Sequence, residues 1–182
     1  MSLNKLFSLL FVGISLSFLF VGCKSNEVEK VAYHSPYGIS LMHPADWTIE
    51  EEEQDESVPI LLKKNENVGE DDFNSNINLY ISSHKGNDMD FDKLMHINKN
   101  YLMLNNIELE DEKITKIDGH PAYKIVYQRT YEGDELKVVQ YLQFYNEMAH
   151  TITFVCKVEN FKKLEAEATE IIESFTYDFN KK

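Results

Sequence analysis

Hydrophobic and polar positions alternate most clearly late in the chain. Ala122 to Tyr131, Leu136 to Tyr145 and Ala149 to Val158 are three β-rich runs, with Glu132-Gly133-Asp134 and Asn146-Glu147 in the gaps between them. Gaps this short predict hairpins and hence an antiparallel meander. In the first run Tyr123, Ile125, Tyr127 and Tyr131 share one face, with Arg129 among them. Upstream, Ile77, Leu79 and Ile81 alternate with Asn78, Tyr80 and Ser82, the period of a half-buried strand. Shorter strands are expected at Tyr37–Met42, Trp47–Glu50 and Val58–Lys63, with His43-Pro44-Ala45-Asp46 breaking the first. Glu108 to Asp118 reads as extended and polar, and Asp118-Gly119-His120-Pro121 as a turn.

Two segments carry the helical period. From Asp90 to about Asn105, Phe91, Leu94, Ile97, Tyr101 and Leu104 recur on one face, joined by Met95 and Leu102, with Asp88 or Asp90 as cap. A final helix, capped by Asn160, carries the stripe Phe161, Leu164, Ala168, Ile171, Ile172 and Phe175. Lys162, Lys163, Glu165, Glu167, Glu170 and Glu173 are expected to face solvent. Strands, helix, strands, helix define an α+β class: a central antiparallel sheet with amphipathic helices packed on its faces.

The first residues follow another pattern. Lys5 is the only charge before an apolar run that ends at Gly22-Cys23, and Lys24, Ser25, Asn26 and Glu27 follow. That is the layout of a secretory signal. Phe20-Val21-Gly22-Cys23 resembles the lipobox of bacterial lipoproteins, in which the cysteine is lipidated, by palmitate among other chains, and becomes the mature N-terminus. The run is about 18 residues long, so an uncleaved membrane anchor is the alternative. Either tethers the rest outside the cytoplasm. The expected organisation is a signal peptide at 1–22, a lipidated N-terminus (Cys23) and tether at 23–35, one domain at 36–178 and a tail at 179–182.

The chain has 182 residues, 43% hydrophobic and 27% charged, enough for one globular core. A net charge of -13 excludes nucleic acid as a partner, because an acidic surface repels phosphates. With Cys23 acylated, Cys156 has no cysteine to pair with and reads as a small buried hydrophobe.

Candidate chemistry is sparse. Asp88-x-Asp90-x-Asp92 opens like a calcium loop, but Lys93 and Lys99 stand where Gly and Glu are required. The six histidines lack metal-ligand spacing, and only a pairing in space, such as His43 with His120, would build a site. Glu50 to Glu53 with Asp55 and Glu56, and Glu70-Asp71-Asp72, read as solvated acidic loops or weak cation or basic-partner sites. Hydrolase, metalloprotease, P-loop and dinucleotide motifs do not occur. The meander tyrosines Tyr123, Tyr127, Tyr131, Tyr141 and Tyr145 divide between core and a face open to recognition. No catalytic, cofactor-binding or metal-ligating residue is assigned, and no cofactor is expected.

Three marks, taken together, resemble the PsbP-like families. They are Tyr37-Gly38-Ile39-Ser40-Leu41 with His43-Pro44-Ala45-Asp46-Trp47, then Ile117-Asp118-Gly119-His120-Pro121-Ala122-Tyr123, and finally Ile171-Ile172-Glu173-Ser174-Phe175. The resemblance implies an αβα sandwich and a non-catalytic accessory or assembly role. The combined expectation is a lipoprotein of the cell membrane or outer membrane. It would be held extracytoplasmically by its lipid and bind an envelope protein. The alternative is a lipoprotein that binds a small ligand or metal cation in a cleft or on the acidic loops.

Overall fold

The structure is a computed structural model that describes residues 29–36, 38–50, 60–65 and 73–178. The predicted meander is present and has one more strand than expected. β6 (Leu109–Ile117), β7 (His120–Tyr131), β8 (Asp134–Tyr145) and β9 (Met148–Lys157) follow one another as antiparallel neighbours. Each joint is a two-residue turn with both residues at positive φ: Asp118-Gly119 (50° and 76°), Glu132-Gly133 (52° and 95°) and Asn146-Glu147 (52° and 58°). Turns of this hand match the strand twist, and they lock the registers Ile117↔His120, Tyr131↔Asp134 and Tyr145↔Met148. β3 (Trp47–Glu50), β4 (Ile60–Lys64) and β5 (Asn76–Ser83) complete a seven-stranded sheet in the order β3-β4-β5-β9-β8-β7-β6.

A second, three-stranded sheet orders β1 (Lys30–His34), β2 (Ile39–Pro44) and β10 (Thr176–Tyr177) as β1-β2-β10. This shortens the expected tether, because Lys30 to His34 pair with Pro44 to Ser40 of β2. Polar composition hid the strand; the edge of β2 and the packing of Tyr33 against the core supply what the segment lacks alone.

α1 (Phe91–Leu104) is capped as predicted: the Asp90 carboxylate accepts from the Lys93 amide at 2.8 Å. It ends in a Schellman turn, with Asn106 at φ 54° and the Ile107 amide donating to Leu102 O at 2.9 Å. α2 (Val158–Glu173) starts earlier than expected. Its N-cap is Lys157, with no side-chain cap bond, so Asn160 lies inside the first turn rather than capping it. β9 runs straight into the helix, and Glu159 meets the positive end of the dipole.

The two faces of the large sheet are covered differently. On one face Ile77, Leu79, Ile152, Phe154, Cys156, Val139 and Tyr141 are sealed under Leu164, Ala168, Ile171 and Ile172 of α2, with Ile39, Leu41 and Phe175 closing the side. On the other, α1 lays Phe91, Leu94, Met95 and Leu102 on Tyr123, Ile125, Tyr127, Val138 and Leu142. α1 covers only the β6–β8 half. Over β5 and β9 the same face carries Asn76, Asn78, Tyr80, Thr151, Thr153 and Val155, half-buried or exposed.

Candidate functional surface

Cys23, the acidic residues Glu51 to Glu53, Asp55, Glu56 and Glu70 to Asp72, and Tyr37 lie outside the described residues. Glu50, the first of that cluster, pairs with Lys63 at 2.7 Å. His43 and His120 are not brought together: His43 Nδ1 lies 2.9 Å from Pro44 O, while His120 stacks on Tyr145 at 3.8 Å. Among the described residues no group of three His, Cys, Asp or Glu is placed to hold a metal ion. Cys156 is fully buried in the core, where it fills space as a small apolar side chain.

Trp47 anchors a polar cluster that the sequence did not reveal. Its indole N–H donates to Glu167 at 2.7 Å. The Lys64 ammonium reaches Asp46 at 2.7 Å and Glu167 at 2.5 Å, and lies 5.4 Å from the centre of the Trp47 ring. Burial alone would pull the Lys64 pKa down; the hydrogen bonds to Asp46 and Glu167 outweigh it and hold the value above normal. Glu167 therefore does not face solvent as the helical period implied. It turns inward because two buried donors need an acceptor. The cluster ties the β3–β4 edge to α2 and serves the fold.

A second network sits where the two sheets meet. Gln143 Nε2 donates to Ile117 O at 3.0 Å, and the Tyr177 hydroxyl donates to Gln143 Oε1 at 3.1 Å. Tyr177 also packs on His150, with ring centres 4.6 Å apart. Burial, with a smaller contribution from His120, depresses the His150 pKa to about 4, so the ring is neutral at pH 7.

The α1 layer holds the exposed chemistry. The helical stripe read from the sequence splits in two. Phe91, Leu94 and Leu102 turn onto the sheet, whereas Ile97, Tyr101 and Leu104 stand 54%, 60% and 77% exposed. Met103, and Ile114 on β6, are exposed as well. Between α1 and β6, Lys99 pairs with Glu112 at 2.7 Å and lies 5.3 Å from the centre of the Tyr123 ring. The Tyr123 hydroxyl donates to the same carboxylate. Lys99 first, then Tyr123, hold the Glu112 pKa below its usual value; burial, then Glu112, raise that of Tyr123. Two open clefts flank this group, of about 290 Å³ (Met95, His96, Ile114) and about 510 Å³ (Leu102, Met103, Ile107). Tyr123, Tyr127 and Tyr141 are buried, whereas Tyr131 and Tyr145 reach solvent. Among the described residues no helix is long and apolar enough to cross a membrane.

A seven-stranded antiparallel sheet, sealed by one helix and half-covered by another, is an α+β sandwich of the PsbP type. The chain belongs to the PsbP-like protein family, whose profile matches residues 22–177. Cyanobacterial PsbP (CyanoP) from Synechocystis sp. PCC 6803 superposes with a TM-score of 0.61 at 14% identity, over 95% of this chain and 99% of that one. LpqN of Mycobacterium tuberculosis, described as involved in cell envelope biogenesis, gives 0.62 at 17% identity, over 83% of this chain and 91% of its own. PA94 of Pseudomonas aeruginosa, a protein of unknown function, gives 0.58 at 15% identity, over 82% and 98%. These likenesses establish the fold. No curated protein matches the chain.

Proposed function

We propose that this protein is a cell-envelope lipoprotein, acylated on Cys23, whose PsbP-like domain works without catalysis as an accessory subunit that binds another envelope protein. The observation that carries the reading is the apolar flank of α1. Ile97, Tyr101 and Leu104 lie at i, i+4 and i+7 and are exposed, although a helix of this kind normally turns such a stripe inward. Exposed apolar side chains set together mark interaction sites.

Topology agrees with a tether on the opposite side. Lys24 to Glu29, at most about 20 Å of chain, would link an acylated Cys23 to β1. Lys30 sits against Glu170 of α2 at 2.9 Å. An anchor arriving on the α2 side leaves α1 across the sheet, turned toward a partner rather than the bilayer. More than one acyl chain holds such a domain stably. The cell-envelope description of LpqN supports the same setting.

The test pairs two variants. Cys23→Ser is expected to lose palmitate labelling and move to the soluble fraction. Ile97→Ser with Leu104→Ser is expected to stay membrane-bound and lose its crosslinked partner. Labelling that survives Cys23→Ser overturns the anchor, and an unchanged crosslink pattern overturns the binding face.

The clefts beside Lys99 and Glu112 favour a second reading, a small-ligand carrier. Because a ligand that binds only the native state raises the melting temperature, a thermal-shift screen with apolar ligands and divalent cations separates the two.

A further inference from the structure

We propose that the part of the α1-side sheet face that α1 leaves open among the described residues, together with the strip along its border, is a binding groove for a neutral glycan chain. This goes beyond the protein-binding role and does not depend on the anchor or on the flank of α1. The groove, of about 340 Å³, lies over β5, β9, β8 and the end of β7. That volume is in the range of ligand sites.

Leu136, Val138 and Val155 line the groove beside four uncharged hydrogen-bonding side chains, Asn76, Asn78, Gln140 and Thr153, which are tied to one another or to α1. Asn98 Nδ2 donates to Gln140 Oε1 at 3.1 Å, and Gln140 Nε2 approaches Thr153 Oγ1 at 3.3 Å. Asn78 Nδ2 lies 3.4 Å from Asn76 Oδ1. Cross-strand pairing places Asn78 opposite Thr153 and Thr153 opposite Gln140, a row running across three strands. Each amide keeps donors or acceptors beyond those spent on its neighbour. Bonds to neighbours, Asn76 for Asn78 and Asn98 for Gln140, with Gln140 in turn on Thr153, hold the row in place, so a ligand meets it pre-ordered.

Charge narrows the ligand class. In a chain of net charge -13, the described residues lining this groove include no carboxylate and a single cation, Arg129. Nucleic acid and other polyanions would need more than one cation. A cationic partner finds nothing to pair with. An apolar peptide segment would pack on Leu136, Val138 and Val155 but leave the Asn, Gln and Thr groups without partners. A neutral polyol matches those groups, because its hydroxyls donate and accept in turn. Tyr131, 47% exposed with Arg129 lying 5.3 Å from its ring centre, gives one end of the groove an aromatic wall. Tyrosine presents a rigid amphipathic face, and asparagine supplies adaptable hydrogen bonds, at little entropic cost.

The experiment uses the full chain, ¹⁵N-labelled, in a sugar-free zwitterionic detergent. It is titrated with maltohexaose, cellohexaose and the hexamer of N-acetylglucosamine while side-chain amide resonances are followed. At least one saccharide is expected to shift Asn76, Asn78 and Gln140 progressively and to leave Asn160 on α2 unmoved. Tyr131→Ala and Asn78→Ala are each expected to weaken binding on the order of tenfold, at unchanged melting temperature. Ile97→Ser is expected to leave it intact, which separates this site from the protein-binding flank. No shift with any of the three at millimolar concentration overturns the proposal. So does affinity unchanged in both variants. Shifts of the same amides by a neutral hexapeptide but not by the saccharides would reassign the groove to peptide and overturn it as well.

Discussion

The two faces of one sheet differ less in their strands than in what their helices do. On the α2 side, Phe154, Ile152 and Cys156 project into a core that the helix and the small sheet close completely. One residue along in β9, Thr153 and Val155 project the opposite way and remain half-buried. The same backbone thus supplies a stabilising face and an available one. Function that needs contact with another molecule has only the second to use, because opening the first would expose the core.

The comparison is broken most severely by substitutions in β9. Phe154→Ala is expected to cost about 3–5 kcal/mol, against less than about 1 kcal/mol for its neighbour Thr153→Ala, read from urea melts. Equal costs would mean that the faces are not distinct. Next is the pH dependence of the buried His150. The unfolded ring takes up its proton near 6.5, whereas the folded ring does so near 4. Between these values the unfolded state binds more protons, so stability falls as pH drops from about 6.5 to about 4, by on the order of 3 kcal/mol. His150→Phe is expected to flatten that part of the profile; melts at pH 7 and pH 4.5 on both proteins measure it.

Glu167→Ala is expected to cost about 2 kcal/mol, because the Trp47 N–H loses its acceptor and the mostly buried Lys64 keeps only Asp46. Glu167→Gln is expected to recover part of that loss. The smallest effect sharpens the turns: Glu147→Gly removes a side chain at φ 58° and is expected to stabilise by about 0.5–1 kcal/mol.

Local chemistry made part of this architecture legible. The meander shows because its turns carry Gly119, Gly133 and Asn146 at positions that need positive φ. The start of α1 shows because Asp90 stands directly before the apolar period. The stripe of α2 shows because Leu164, Ala168, Ile171 and Ile172 are all buried.

What stayed hidden depends on partners far along the chain. Glu167 is polar at a polar helical position, and only Trp47, 120 residues away, and Lys64, 103 away, turn it inward. Periodicity put Ile97, Tyr101 and Leu104 on one stripe with Phe91 and Leu94, yet only the latter two pack on the sheet while the first three stand exposed. The amide row has no sequence signature at all, since Asn78, Thr153 and Gln140 come from three strands. Lys30–His34 lacks a pattern and becomes a strand only against β2.

The most direct measurement places a photo-reactive residue at Tyr101 on α1 and, in a separate protein, at Lys162 on the solvent side of α2, each in the intact membrane-bound chain. A discrete protein adduct is expected from position 101 and none from position 162. An adduct from 162 alone would contradict that expectation, because the sealed face would then be the one in contact.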